Sequence, residues 1–337
     1  MSTTTPGTTP GTTPGAAALG DGKKRRGRSP ERGFSRGFRW IATGSGIVLL
    51  VVLAAVAGFL VQQALPALTA GSAELVEQNV LPQGMTSIWQ LIVPLVFGTL
   101  LASVIALAIA TPIAVGIALF ISHYAPRRVA APVGYVVDLL AAIPSVVYGL
   151  WGGAVFAPFI RHVWNWIAEV LSLLPFWEVR ATATGRSLAT AAVVLAIMIL
   201  PIITAVSREV FKQTPRLHEE AALALGATQW EVIRTAVLPF GRSGVISAAM
   251  LGLGRALGET MAVLMILSPG LLVSFQIFDG GQQQTIAAFI ASQFPEAAGL
   301  RVNVLIATGL ALFVITMLVN MAARWIVSRR KEFSGAN

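Results

Sequence analysis

The sequence predicts an all-α integral membrane protein of six transmembrane helices with both termini on the cytoplasmic side, and three observations carry that expectation. Of its 337 residues, 55% are hydrophobic and 12% charged, a balance that suits lipid rather than water. Six apolar runs, near 41–63, 91–122, 131–160, 187–206, 243–268 and 302–323, reach the roughly 20 residues that one helical crossing requires. The third observation is the placement of the 24 basic residues, which gather on alternate connections between those runs.

Ahead of the first run, Thr-Thr-Pro-Gly recurs three times between residues 4 and 15. Such a composition buries too little apolar surface to offset the entropy of ordering it, so residues 1–40 read as a disordered basic tail. Eight basic residues crowd into positions 23–39. A folded basic face would suggest nucleic acid, but this run flanks a membrane helix, so the surface it prefers is lipid and no nucleic-acid partner is expected.

With that tail inside, six crossings return residues 331–337 to the cytoplasm as a short second tail. Nineteen basic residues then lie inside, including Arg127, Arg128, Arg208, Lys212, Arg216, Arg234, Arg242 and Arg324, against Arg161, Arg180, Arg186 and Arg301 outside. The excess matches the positive-inside rule. The second and third runs exceed one perpendicular crossing, and Pro112, Pro144 and Pro158 mark kinks or short non-spanning pieces there. In the outer segment 161–186, Trp164, Ile167, Leu171 and Leu174 recur at helical spacing beside Trp166 and Trp177, the pattern of an interfacial anchoring belt.

The cytoplasmic segment 207–242 is polar and rich in helix signals. Thr214 and Pro215 open one helix, Gly226 sits where a left-handed cap ends it, and Thr228 with Glu231 has the spacing of a capping box for a second. Pro239 is expected to end that second helix, giving a hairpin of 215–225 and 229–238.

Arg255 and Glu259 stand in the fifth run, four residues apart and so on one helix face. An ionisable side chain there costs about 2.5–3.5 kcal/mol on insertion scales and should face protein or water. They can pair, either as a structural salt bridge that locks the fifth span or as an anion site in which a passing anion displaces the carboxylate from a guanidinium whose fork matches an oxyanion. Thr99, Ser145 and Thr260 offer hydroxyls along the same path.

Several chemistries are excluded. There is no cysteine, hence no disulfide and no thiolate metal site. No Gly-x-x-x-x-Gly-Lys-Ser/Thr motif cradles ATP, and His123, His162 and His218 form neither a catalytic triad nor a metal cluster. The chain is not expected to be an enzyme.

Glu220, Ala221, Ala222 and Gly226, followed by Leu238 and Pro239, resemble the EAA loop of ABC importer permeases, with Ala236 where the pattern has isoleucine. Residues 143–149, IPSVVYG, and 254–263, GRALGETMAV, resemble the phosphate permeases of that family, and Met261, Ala262 and Val263 match one of its two permease types. The resemblance covers about residues 40–330. It implies a coupling hairpin in which Glu219, Glu220, Ala221, Ala222 and Gly226 meet a cytoplasmic ATPase, and a substrate path lined by Arg255, Glu259, Thr260 and Ser145. It further implies a homologous second permease, an ATPase dimer that binds the ATP and Mg this chain does not, and an extracytoplasmic phosphate-binding protein, all at a bacterial cytoplasmic membrane. Sulfate or molybdate would fit the same guanidinium, and a secondary transporter would need more titratable groups than Asp138, Arg255 and Glu259 supply.

Overall fold

Small residues decide how these helices meet. The computed structural model describes residues 33–82, 84–172 and 180–330; most of the expected N-terminal tail, Leu174, Trp177 and the tail at 331–337 lie outside them. Two units are distinguished, one up to Ala54 and one from Ala55 onward. In the first, the leading part of α1 (Gly33–Thr69) exposes Ile47, Val48, Leu50 and Val51, an apolar surface suited to acyl chains.

In the second unit, α2 (Ser72–Glu77) leads to α3 (Ile88–Leu119), which starts on a Ser87–Gln90 capping box. Ala102, Ala106, Ala110, Ala114 and Ala118 recur every fourth residue along α3, and all are fully buried. That stripe allows close packing against α7 (Leu188–Lys212), whose Ala191, Val194, Leu195 and Ile199 share its core cluster. Dispersion between closely fitted surfaces, rather than expulsion of water, holds helices together in lipid.

Among the described residues, six helical stretches are long and apolar enough to cross a membrane: Gly37–Thr69, Ile88–Tyr124, Ser145–Ser172, Leu188–Lys212, Gln229–Leu257 and Leu300–Trp325. Two differ from expectation. The run 131–160 is broken at Pro144, which cannot continue a helix by donation. Before it, α4 (Arg127–Ala141) is an amphipathic helix fastened to α7 by Arg208 and Asp138 at 3.5 Å. After it, α5 (Ser145–Trp151), a π turn (Gly152–Phe156) and α6 (Ala157–Ser172) form one crossing. The segment 161–172 therefore continues the helix that begins at Ser145. Trp164 is part of that packing, its indole N–H donating to Thr190 Oγ1 at 2.8 Å, while Trp166 is exposed as an anchoring belt requires.

The fifth crossing also shifts. α9 (Gln229–Val232), a π turn (Ile233–Val237) and α10 (Leu238–Leu257) run on through Pro239. The π turn re-registers the hydrogen bonds ahead of the proline, so the helix continues where a regular α-helix would be interrupted. The helix then stops at Gly258, and the run expected to reach 268 is completed by the short α11 (Met261–Ile266). An extended segment folds back through Leu272 N–H to Gln282 O (2.8 Å) and Gly270 N–H to Gln283 O (3.3 Å). It delivers the buried Gln283, Gln284 and Thr285 to the start of α12 (Ile286–Gln293), before α13 (Leu300–Arg330) closes the fold.

Candidate functional site

Two regions carry the residues that the sequence singles out. The first is the break after α10. Arg255 lies in the last turn of α10, partly exposed, and forms no ion pair or hydrogen bond among the described residues. Glu259 is not its partner. With the helix ended at Leu257, the four-residue spacing no longer places the two on one face, and Glu259, 8% exposed, accepts a hydrogen bond from Ala262 N–H at 3.1 Å. A carboxylate there satisfies a donor that the first turn of α11 leaves open. Thr260 donates to Gly258 O at 3.2 Å and remains partly exposed. Thr99 is consumed structurally, donating to Leu95 O and accepting from Ile286 N–H at 2.9 Å.

The two strings at 143–149 and 254–263 meet here. Gly149 faces the main chain of α11: a Cβ at Gly149 would stand 2.9 Å from Ala262 Cα and 3.2 Å from Met261 O, and one at Gly153 would stand 2.6 Å from Met265 O. Only residues without a side chain permit that approach. Beside Gly149, the buried Tyr148 donates its phenol O–H to Leu140 O at 3.0 Å. Ser145, also partly exposed, begins the same helix one turn earlier.

The second region is the hairpin. α8 (Arg216–Ala224) buries no residue, and Leu217, Leu223 and Leu225 are exposed at its surface, Leu225 to 90%. Its end is a Schellman motif: Gly226 takes φ +84°, its N–H donates to Leu223 O at 2.9 Å, and Ala227 N–H donates to Ala222 O at 3.1 Å. Thr228 and Glu231 then close the expected capping box on α9. Thr214 does not cap α8, since its buried hydroxyl has no hydrogen-bond partner among the described residues. Glu220 and Ala221 are exposed and Ala222 is half-buried, whereas Glu219 turns inward to His123, with Oε1 and Nε2 3.5 Å apart.

A family model described as "Binding-protein-dependent transport system inner membrane component" matches residues 110–332. The chain belongs to that family. Curated relatives include the phosphate transport system permease protein PstC 2 of Mycobacterium tuberculosis, 43% identical over 312 residues and covering 88% of this chain and 93% of that protein. PstC of Mycobacterium leprae is 47% identical over 241 residues, covering 69% and 73% respectively. PstC of Haemophilus influenzae is 42% identical, covering 71% and 76%. Among solved structures, a bacterial ABC transporter involved in import of the acidic polysaccharide alginate aligns with a TM-score of 0.58 at 16% identity, over 88% of this chain and 97% of that one. The inward-facing MetNI methionine ABC transporter aligns with a TM-score of 0.53 at 19% identity, over 71% and 95%. At such identities the likeness speaks for the fold, which is that of an ABC permease. The chain is a multi-pass transport subunit, not an enzyme.

Sequence reasoning missed two features. The polar fold-back at 267–285 is one of them, although its Gly-Gly-Gln-Gln-Gln string at 280–284 signals backbone turning beside side chains that can bond to main chain. The His123–Glu219 contact leaves no local signal, because the two residues are brought together only by the tertiary fold.

Proposed function

We propose that this chain is the permease subunit through which an ATP-driven importer moves inorganic phosphate across a bacterial cytoplasmic membrane, its N-terminal and C-terminal segments inside. The observation that carries this reading is Arg255: a partly exposed guanidinium at the end of an apolar helix, unpaired among the described residues. An unpaired cation at such a position is costly unless a ligand or water meets it, and its fork of donors matches a tetrahedral oxyanion. Phosphate as the cargo is supported by the PstC relatives. Thr260 and Ser145 add hydroxyl donors beside the path, and Glu259 shapes it by holding the first turn of α11 in place.

Transport is driven from the hairpin. Glu220, Ala221 and Ala222 with the exposed leucines form the docking face, Glu219 supports it, and Gly226 fixes the turn that makes α8 and α9 one lever. The partners are a PstA-like homologous permease, a PstB-like ATPase dimer that holds ATP and Mg, and a PstS-like extracytoplasmic phosphate-binding protein.

Phosphate uptake by cells lacking the native permease tests this reading, with wild type, Arg255→Ala and Arg255→Lys compared at equal expression. Arg255→Ala is expected to lower uptake by at least about tenfold, the scale of one charge-assisted contact, with the ATPase still co-purifying. Arg255→Lys keeps the charge without the fork and falls between. Uptake of sulfate or molybdate instead of phosphate would leave the importer intact and overturn the cargo.

A further inference from the structure

We propose that Glu219 is a positioning residue that pins the coupling helix to the end of the second span through His123, leaving Glu220 alone to offer charge to the ATPase. This deepens the reading of α8 as the coupling helix and rests on it.

Neighbouring residues on a helix point about 100° apart, so two consecutive glutamates need not face the same way. Glu220 is exposed, while the side chain of Glu219 is 27% exposed and faces one that is 8% exposed, His123. The imidazole is fixed from behind: its Nδ1 lies 2.7 Å from Ser122 Oγ, which donates to Ala118 O at 2.8 Å. With the hydroxyl proton given to Ala118 O, Ser122 Oγ accepts from Nδ1–H, and Nε2 is turned toward the carboxylate, to which it donates when the imidazole carries both protons.

The backbone prepares this contact. Ser122 and His123 lie within a π turn, Phe120–Tyr124, that continues α3. One extra residue per turn rotates everything beyond it relative to the regular helix face, and here it is the turn that presents His123 to α8. Below it, Ala118, Leu119, Phe211, Ile233 and Val237 form a small core joining the ends of α3 and α7 to the π turn of the fifth span. α8 adds no residue to that core. Among the described residues its only close contact of this kind is the one with His123, an ion pair when the imidazole carries both protons, and a partly buried pair is screened less than an exposed one. Movement of α8 under the ATPase is thereby passed to the second span as well as to the fifth.

The complete transporter, reconstituted in lipid, tests this through phosphate moved per ATP hydrolysed and through retention of the ATPase. Glu219→Gln, nearly isosteric, and His123→Ala are each expected to keep the ATPase bound while transport per ATP falls about fivefold, the low end of ordinary coupling energies. The double variant should be no worse than either single one. Because the chain has no cysteine, H123C/E219C joined by a short bifunctional thiol-reactive reagent, each cysteine thiolate displacing one leaving group of a bis-methanethiosulfonate, should regain coupling that the unjoined pair lacks. Loss of the ATPase in Glu219→Gln would place Glu219 at the dock and overturn the proposal, as would unchanged transport per ATP in both single variants. Glu220→Lys reports separately on the underlying reading: if it keeps both the ATPase and full transport, α8 is not the coupling helix.

Discussion

Gly149 and Gly226 are both fixed as glycine, for opposite reasons. Gly149 lies in the buried contact of α5 with α11, where an added Cβ would meet main-chain atoms at 2.9 and 3.2 Å. Gly226 lies in the exposed hairpin, where an added Cβ would meet nothing within 4 Å but the backbone sits at φ +84°. One glycine supplies space and the other supplies a dihedral angle. The difference separates the two halves of the mechanism: the substrate path depends on close tertiary packing, whereas the coupling lever is a locally specified unit with little core of its own.

Substitution at the two positions turns that contrast into numbers. Gly149→Val is expected to have the largest effect, at least about 3 kcal/mol, the top of the ordinary overpacking range, because the obstacle is main chain rather than a flexible side chain. Thermal unfolding of the purified subunit in detergent should show a large downward shift, and uptake should disappear along with the folded protein. Gly226→Val should cost less, about 1–2 kcal/mol for forcing a β-carbon into the left-handed region. The subunit should remain folded, while co-purification of the ATPase weakens. Equal effects on folding from the two variants would erase the distinction between space and angle.

The hairpin was the more legible region because its signals are local. Thr228, Glu231 and Gly226 each act on backbone groups within five residues, so the spacing in the sequence already contains the geometry, and the capping box and left-handed turn follow. Legibility failed at Pro239, since continuation of the helix depends on a π turn that no propensity announces. It failed again at Arg255 and Glu259, where a four-residue spacing implies a pair only if the helix continues. Gly258 ends it, and Glu259 instead accepts from Ala262. Arg255 was legible as an ionisable group in an apolar run, but the close approach of α5 to α11 beyond it depends on glycines more than 100 residues away in sequence. Spans were read well where one apolar run is one helix, as in α7, and poorly where Pro144 divides one apolar run between an amphipathic helix and a crossing.

The smallest change isolates the lever from the path. Thr228→Ala removes the hydroxyl that accepts from Glu231 N–H and breaks the reciprocal capping box, while touching neither the α5–α11 contact nor Arg255. Loss of such a cap typically costs about 1 kcal/mol, and because it opens the first turn of α9, the cost should stay in that turn. Amide hydrogen exchange is expected to speed up at residues 229–232, with the α3–α7 interface keeping the protection of wild type. Phosphate uptake should fall about two- to fivefold, as a loosened hairpin transmits less of each ATPase stroke. Faster exchange along α7 instead would mean that the hairpin and the packed spans unfold as one unit, and the separation of a local lever from a tertiary path would not hold.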